Sequence, residues 1–302
     1  MARQDGTNCP FDLGYVAHTL DLRSCDDKSL SIACGSFVPD GPNFVDILNV
    51  ELEAGAPQVP KLRARLPHYF PSTRVRWLGG DAPAAGVPEL LVTSGDYLRV
   101  WSAGGELVQL LRHEPTPRDA CTPVTSVDAS SAVNGHACLA SCDVNGICML
   151  WDLQRGAVQQ AFDLGQPLCD VAFGPAGLLA VAGAHGDCFF LDPRQPQDVH
   201  VQGRRDRARG MARIAWGPQR PDLVAVARHG RGSELDLYSG PALFRGDVGA
   251  DVVAHRTLRT PGCTADTADI RWSPAFPQFL CCAKENGSVE VWQGPPDKAD
   301  AG

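Results

Sequence analysis

The stretch LLVTSGDYLRVW, residues 90–101, contains an apolar run, a Gly-Asp turn and an alternating strand that ends at Trp101. An apolar run joined by a short turn to a second strand is the pattern of a β-hairpin. Arg99 lies within the second strand, and we expect it to pair with an acidic group or reach a sheet edge, because a buried unpaired guanidinium is costly. The residues predicted to be buried between neighbouring sheets are Leu90, Leu91, Val92, Leu98 and Val100, with Trp101 packed at the end of its strand.

The same hairpin recurs along the chain. Further apolar strands, among them ACLASCD (137–143) and FLCCAKE (279–285), are each followed by a turn and a second strand that ends on a bulky residue. These end residues, spaced by 40–54 positions, are Leu48, Trp101, Trp151, Leu191, Tyr238 and Trp292. Repeats of the WD type run about 40–45 residues, so the spacing indicates such repeats with long loops.

Local signals add detail to each repeat. A further strand precedes most of the hairpins, as in MARIAW (211–216) and TADIRW (267–272). Asn145-Gly146 and Asn286-Gly287 stand between apolar runs, which predicts tight turns with positive φ at both central residues. The first hairpin strands are apolar at consecutive positions and rich in small residues, which indicates burial on both faces rather than the polar-out alternation of a sandwich. Stacked blades bury their middle strands in this way.

We therefore predict an all-β, WD40-type β-propeller with six countable blades, in a single domain over residues 1–293, followed by a disordered tail over 294–302. The first 14 residues are expected to add the outer strand of the sheet that contains Trp292. The 29 residues from Ser239 to Thr267 are too few for another blade beyond one outer strand and a loop. A degenerate seventh blade remains the alternative.

Composition narrows the classes of function. The net charge of −8 argues against a nucleic-acid groove, and no apolar run approaches the ~18 residues of a membrane helix. The chain begins without the apolar core of a signal peptide. Twelve cysteines without a CxxC pair are typical of reduced core thiols rather than disulfides or a zinc site. Catalytic and cofactor motifs are lacking, so we expect no enzyme; the alternative needs acids or histidines that converge in the channel.

The quoted residues resemble a specific family. HYFPSTRVRWLG (68–79), ELLVTSGDYLRVW (89–101) and CTPVTSVD (121–128) are similar to the second-to-third blade region of the Transparent Testa Glabra family of WD-repeat proteins. SIACGSFVPDGPNFVDILNVE (31–51) is similar to the first blade of that family. The resemblance is strongest over residues 15–155 and weakens after residue 218.

The resemblance implies an intracellular scaffold without enzymatic activity. We therefore predict a WD-repeat scaffold of the cytoplasm and nucleus, monomeric and without cofactor, that assembles transcription-factor or protein-kinase complexes. Plant members of the family hold MYB and basic helix-loop-helix transcription factors together. The animal counterpart binds DYRK-type and homeodomain-interacting kinases and is counted among receptors of cullin-four ubiquitin ligases, which is our alternative function. No direct contact with nucleic acid or membrane is expected. The family fold has seven blades, so one late blade of this chain is missing or degenerate.

Two groups of residues are candidates for protein binding. Asp192 and Arg194 of LDPR (191–194) match the Asp-x-Arg pattern with which some WD repeats dock onto the cullin-four adaptor; the alternative is an ion pair within the fold. GRRDRARGMAR (203–213) places five arginines in one loop, which indicates either a patch for an acidic partner or a solvated loop. Those arginines are Arg204, Arg205, Arg207, Arg209 and Arg213.

Other conspicuous residues are interpreted as structural. Trp151 and Asp152 form the dipeptide that gives WD repeats their name, and we expect the tryptophan to pack between blades and the aspartate to cap the following turn. Asp143 is expected to accept backbone N–H bonds in its turn. The His–Ser/Thr–Trp–Asp networks of regular WD repeats are expected to be mostly lacking, with His255 as the one remnant.

Overall fold

The protein is described by a computed structural model, and its described residues are almost entirely β-strand. One short 3-10 turn, Pro175–Gly177, is the only helical segment in that part of the chain. The described part of the chain contains no helix that is long and apolar enough to cross a membrane. The structure describes residues 12–26, 28–53, 56–78, 89–113, 122–133, 136–197, 199–202, 211–217, 223–228, 235–239, 256–258, 265–272, 278–284 and 289–293.

The chain divides into two compact units, Met1–Leu139 with Asp152–Ala157, and Ala140–Trp151 with Val158–Gly302. The first unit contains two complete antiparallel sheets. The first sheet consists of β1 (Val16–Asp26), β2 (Ser29–Phe37), β3 (Asn43–Glu53), β4 (Ala56–Pro57) and β5 (Lys61–His68). The second sheet consists of β6 (Arg74–Leu78), β7 (Leu90–Ser94), β8 (Leu98–Ser102) and β9 (Leu107–Leu111).

The division between the units passes through the third sheet, and the second unit contains the remaining three. The third sheet consists of β10 (Val124–Val133), β11 (His136–Asp143), β12 (Ile147–Asp152) and β13 (Ala157–Asp163). The fourth consists of β14 (Leu168–Phe173), β15 (Leu179–Gly183), β16 (Cys188–Leu191) and β17 (Val199–Gln202). The fifth consists of β18 (Met211–Trp216), β19 (Leu223–Arg228), β20 (Leu235–Ser239) and β21 (Arg256–Leu258), and the sixth of β22 (Thr267–Trp272), β23 (Phe279–Lys284) and β24 (Val289–Gln293).

The fold is an all-β, WD40-type β-propeller with six blades among the described residues, as the repeat spacing predicted. Between Tyr238 and Ile270 the described chain adds only β21 and the start of β22, in agreement with the expected single outer strand. The sequence pattern missed β1, which opens the first sheet. Residues 1–11 lie outside the described residues, so the outer strand that we expect them to add beside β24 stays a prediction.

The opening hairpin is buried almost as predicted. Leu91, Val92, Leu98 and Val100 are all at most 2% exposed, and Trp101 is 4% exposed. Leu90 is half-buried, so that part of the prediction is wrong. The reason is its place as the first residue of β7, where it pairs with the ends of β6 and β8. Arg99 donates to Asp96 through its Nη2 at 2.8 Å, which confirms the expected acidic partner.

Neighbouring sheets bury their middle strands against each other within each unit. In the first unit, Ile47 and Leu66 of the first sheet pack with Trp77, Leu91 and Trp101 of the second. The second unit repeats this arrangement in three clusters, which join the third to the fourth sheet, the fourth to the fifth and the fifth to the sixth. Consecutive apolar residues in the middle strands are therefore explained by burial on both faces.

Several cysteines belong to these clusters, as predicted for core thiols. Cys142, Cys148, Cys188 and Cys282 are fully buried and carry no disulfide. Burial raises the pKa of Cys148 and of Cys282 to about 12. Cys148 and Cys282 are therefore protonated at neutral pH and behave as small apolar side chains.

The tight turns differ from the predicted type. Gly146 and Gly186 have a φ of 93°, but Ala176 is the only non-glycine residue with positive φ in the described part of the chain. Asn145 therefore does not adopt the left-handed conformation that we predicted for both central residues of its turn, and neither does His185 in the turn before Gly186. Asn286-Gly287, for which we made the same prediction, lies outside the described residues. In each turn the glycine N–H donates back to the residue three positions earlier, from Gly146 to Asp143 at 3.4 Å and from Gly186 to Gly183 at 3.2 Å. One glycine per turn is enough for this geometry.

Replacing Gly146 with alanine is expected to destabilise the fold measurably. The left-handed backbone alone costs about 1–2 kcal/mol for a residue with a Cβ. The new Cβ would also lie 2.7 Å from the carbonyl oxygen of Gln166, which is backbone and cannot move aside easily. Gly165 is the matched control, because its φ is also positive at 70° while its Cβ would meet nothing within 4 Å. Urea denaturation should show a larger loss for Gly146→Ala than for Gly165→Ala, and equal losses would contradict the steric argument.

Candidate protein-binding site

Asp192 and Arg194 form a compact ion pair at the end of β16. The carboxylate of Asp192 accepts the backbone N–H of Arg194 at 3.0 Å and its Nε at 2.8 Å on Oδ1, and its Nη2 at 2.8 Å on Oδ2. The preceding residue, Leu191, is fully buried and anchors this turn to the core. The hydrogen bond from Arg194 lowers the pKa of the Asp192 carboxyl below its usual range. The pair is therefore ionised over the neutral pH range.

The sequence left two roles open for Arg194, docking onto an adaptor or an ion pair within the fold, and the structure shows the ion pair. This pair still leaves part of the Arg194 guanidinium free to contact another protein. Arg194 is 66% exposed, whereas Asp192 is 16% exposed. Arginine has five N–H donors, and among the described residues two of its nitrogens, Nε and Nη2, are engaged, so this largely exposed guanidinium keeps donors for a partner. Because the carboxylate fixes its direction, Arg194 presents those donors in one orientation, which suits a bidentate contact with a carboxylate or carbonyl groups of another protein.

A second aspartate–arginine turn follows β12, but its geometry is looser. Asp152 accepts the backbone N–H groups of Gln154 at 2.9 Å and Arg155 at 3.1 Å, which confirms its expected capping role. Arg155 Nε lies 3.6 Å from Asp152 Oδ2 and the side chain is 83% exposed. The extra residue between aspartate and arginine prevents the two-pronged contact made by Asp192 and Arg194.

The arginine-rich segment lies almost wholly outside the described residues. This applies to Arg204, Arg205, Arg207 and Arg209, so their role as a protein-binding patch stays a prediction. Arg213 is described, and it lies in strand β18, in agreement with the strand predicted over residues 211–216. Its assignment to the arginine-rich loop is therefore wrong. Arg213 Nε is 3.9 Å from Asp269 of β22.

The residues interpreted as structural take those roles. Trp151 is 2% exposed, and its indole N–H donates to Ser141 Oγ at 2.8 Å. Asp143 Oδ1 accepts the N–H groups of Asn145 and Ile147, both at 2.9 Å, which confirms its role in the turn. Trp292 packs partly buried against the cluster of the fifth and sixth sheets.

A histidine network that the sequence interpretation missed supports the second sheet. His68 Nε2 and Thr93 Oγ1 are 2.9 Å apart, and the indole N–H of Trp101 donates to the same Thr93 oxygen at 3.0 Å. Burial, with a smaller contribution from Arg99, lowers the pKa of His68 to about 4, so the ring is neutral at physiological pH. The expectation that His255 was the one remnant of such networks is therefore wrong. His255 itself lies outside the described residues.

The remaining titratable residues form no candidate metal centre where the structure describes them. No three histidine, cysteine, aspartate or glutamate residues of the described ranges come together in a group that would hold a metal ion.

Comparison with known proteins agrees with the fold. No family model matches the chain. The Dictyostelium discoideum protein described as "DDB1- and CUL4-associated factor 7 homolog" is 24% identical over 293 residues, which cover 93% of this chain and 83% of that protein. The six-bladed fold and this similarity together support a WD-repeat protein. They do not show membership of the Transparent Testa Glabra family specifically.

Proposed function

We propose that the chain is a non-enzymatic WD-repeat scaffold inside the cell that serves as a substrate receptor of a cullin-4 ubiquitin ligase. The observation that carries the proposal is the exposed, carboxylate-fixed guanidinium of Arg194 at the end of a buried strand. The similarity to a protein whose name records association with DDB1 and CUL4 supports it. The two observations are independent, because one comes from local geometry and the other from the whole sequence.

Physically, the proposed contact has two requirements that this turn meets. A binding arginine loses side-chain freedom when it docks, and that loss is smaller when the side chain is already ordered. Asp192 orders Arg194 through two side-chain hydrogen bonds of 2.8 Å. The buried Leu191 fixes where the turn leaves the sheet, so the adaptor meets a rigid surface.

Replacing Arg194 with alanine is expected to abolish binding to the DDB1 adaptor while leaving the melting temperature unchanged. The side chain is 66% exposed, so its loss should disturb the fold little. The measurement is surface plasmon resonance with the purified chain and purified adaptor. Arg194→Lys should also weaken binding, because an ammonium group cannot form the bidentate contact.

Arg155→Ala is the matched control for this test. Arg155 is also an exposed arginine in an aspartate-containing turn, but it is held loosely at 3.6 Å. The Arg155→Ala chain should bind the adaptor as tightly as the wild-type chain. If the Arg194→Ala and wild-type chains bind the adaptor equally, the docking role of Arg194 is wrong, and if neither binds, the receptor function itself is wrong.

The scaffold can also assemble transcription-factor or kinase complexes, which is the finer expectation drawn from the sequence resemblance. Its proposed partners are MYB and basic helix-loop-helix factors or DYRK-type kinases, and its proposed location is the cytoplasm and nucleus. Affinity purification of the tagged chain from its own cells tests this directly. Recovery of such partners by the Arg194→Ala chain as well would separate this function from ligase docking.

A further inference from the structure

Arg23 of β1 is an enclosed cation without a carboxylate partner among the described residues. The residue is 5% exposed, and its one hydrogen bond there runs from Nη1 to the carbonyl oxygen of Leu78 over a long 3.5 Å. Its Nε is buried and has no hydrogen-bond partner in that part of the chain. A guanidinium does not lose its proton in proteins, so a buried charge of this kind is costly unless an anion balances it.

Two other enclosed arginines show how this fold balances such a charge. Arg76 Nε lies 3.2 Å from Asp128 Oδ1, and the arginine side chain is 9% exposed. Arg228 Nε lies 2.8 Å from Asp236 Oδ2, and its side chain is 3% exposed. Each of these arginines meets a carboxylate from another strand, as is usual for buried charges. Arg23 departs from this pattern.

The acidic residues nearest to Arg23 along β1 are held by other groups. Asp21 Oδ2 accepts the backbone N–H of Trp77 at 2.8 Å. Asp26 Oδ1 accepts the hydroxyl of Ser29 at 2.9 Å in the turn that follows the strand. Neither carboxylate forms an ion pair with Arg23 in the described structure. The counter-ion of Arg23 therefore does not come from its own strand.

The edge of the Arg23 guanidinium that carries Nε and Nη2 has the shape to hold two oxygen atoms of one anion. Arg65 uses the equivalent edge to donate to both carboxylate oxygens of Asp46, at 2.7 Å from Nε and 2.8 Å from Nη2. Such an edge suits bidentate contacts with carboxylate or phosphate oxygens. At Arg23 this edge meets no acceptor among the described residues, so it can take an anion from outside the chain.

A hydroxyl group lies on the same face of the sheet as Arg23. Ser31 of β2 is directly opposite Arg23 in the register and is 1% exposed. Side chains opposite each other in an antiparallel pair have Cβ atoms about 4.5–5.5 Å apart. Ser31 Oγ is 3.0 Å from Cys25 Sγ, and when the thiol donates to this oxygen the Ser31 O–H is left for another acceptor. Ser24 and Asp26 are exposed, so this end of β1 lies near the surface.

We propose that Arg23 and Ser31 bind a small inorganic oxyanion of the phosphate class at the end of β1, beside the end of β6. Two oxygen atoms of the ion meet the Nε and Nη2 edge of Arg23, and a third accepts the Ser31 hydroxyl. The bound ion balances the charge of the enclosed guanidinium. Because Arg23 also reaches Leu78 of the second sheet, the ion strengthens the contact between the first two sheets.

A free oxyanion fits this site better than a phosphorylated side chain of a partner or a chloride ion. A phosphoserine brings its own backbone, and only 5% of Arg23 is exposed to admit it. Chloride offers no pair of oxygen atoms that matches the two parallel donors of the edge. The proposal does not rest on adaptor docking, because Arg23 and Arg194 lie in different units.

The test is the melting temperature of the full chain at constant ionic strength, with sodium phosphate replacing sodium chloride. A single site predicts a rise in melting temperature that follows saturation of the site by the ion. General exclusion of phosphate from the protein surface also stabilises proteins, but it increases steadily with concentration without saturating. Isothermal titration calorimetry should show one phosphate bound per chain.

Variants decide whether Arg23 and Ser31 form the site. Arg23→Met should abolish the saturating rise, and in chloride it should melt at or above the wild-type temperature because an unbalanced buried charge is removed. Ser31→Ala should lower the affinity for phosphate about 10-fold, the effect of one hydrogen bond to a charged group. Arg63→Met is the matched control, because Arg63 is an arginine of the same unit that is 40% exposed and paired with Glu89. It should keep the full phosphate response.

Several outcomes would overturn the proposal. These are a wild-type response that does not saturate, an equal response by Arg23→Met, or tighter binding of a phosphoserine peptide than of inorganic phosphate. If Arg23→Met does not fold, an unchanged phosphate affinity of Ser31→Ala overturns the site equally. The Arg194→Ala chain should keep the phosphate response, so failure of adaptor docking and failure of the anion site are distinguished.

Discussion

Asp236→Ala is expected to lower the free energy of unfolding by about 3–5 kcal/mol, because it leaves a buried guanidinium without its counter-ion. Arg228 and Asp236 have side chains that are 3% and 0% exposed, and Arg228 Nε donates to Asp236 Oδ2 at 2.8 Å. Chemical denaturation in urea, followed by tryptophan fluorescence, measures the change.

The surrounding contacts explain why the cost is high. Arg228 also donates to Tyr238 Oη at 2.9 Å and to Gly186 O at 3.0 Å, while Thr257 Oγ1 donates to Asp236 Oδ1 at 2.6 Å. These contacts hold the arginine in place, so it cannot turn to solvent when the carboxylate is removed. Burial raises the pKa of Tyr238, so the phenol stays neutral and cannot replace the lost negative charge.

An exposed ion pair provides the control. Lys61 and Glu51 are 3.2 Å apart but have side chains that are 72% and 54% exposed. Exposed pairs of this kind contribute at most about 1 kcal/mol, so Glu51→Ala should change the urea midpoint little. A loss for Asp236→Ala as small as that for Glu51→Ala would mean that water or a rearranged side chain reaches Arg228, contrary to the burial described above.

The blade pattern was predictable because a strand that is buried on both faces is apolar at consecutive positions. Consecutive apolar residues in β7, β11 and β23 stand out from polar loops, and their regular spacing gives the repeat. The same pattern did not identify β1, because apolar and polar residues alternate along it, and Leu20 and Leu22 are at least half exposed. Its sequence therefore lacks the uninterrupted apolar run that marked the other strands.

Contacts that depend on strand register were not predictable. His68 lies 25 positions before Thr93, and which face each presents depends on how the loop between β5 and β6 turns. Similarly, a Cβ on Gly174 would collide with the ring of Trp216, a proximity that arises only when the fourth and fifth sheets pack. Asp192 and Arg194 are two positions apart, so their pairing could be foreseen as one of two alternatives.

Exposure decides which candidate residues remain available for partners, and sequence pattern alone does not give it. Arg228 and Arg194 are both arginines near the end of a hairpin strand, yet their side chains are 3% and 66% exposed. The difference lies in the neighbouring sheets, because Arg228 is enclosed between the fourth and fifth sheets and reaches Gly186. Arg194 lies in a turn beyond the strand, where Asp192 holds it and most of its side chain is exposed.

Trp101→Ala is expected to cost about 3–5 kcal/mol, which is comparable with the whole stability of many domains. The substitution removes a large ring that is 4% exposed and packs with Ala33, Ile47 and Leu91. It also removes the indole donor to Thr93 and leaves a cavity beside His68, whose ring centroid lies 6.0 Å from that of Trp101. The measurements are the urea midpoint and the yield of soluble protein.

Trp101→Phe tests the hydrogen bond more narrowly, because it keeps a buried six-membered aromatic ring while it removes the N–H donor to Thr93 and the smaller part of the indole. It should cost about 1–3 kcal/mol, the loss associated with an unmade buried hydrogen bond. Since Trp101 is almost fully enclosed, we expect Trp101→Ala to reduce binding of every partner together, through the loss of folded protein. An alanine variant that melts like the wild type and loses a single partner would instead make Trp101 a binding residue, and the structural role assigned to the hairpin 90–101 would be wrong.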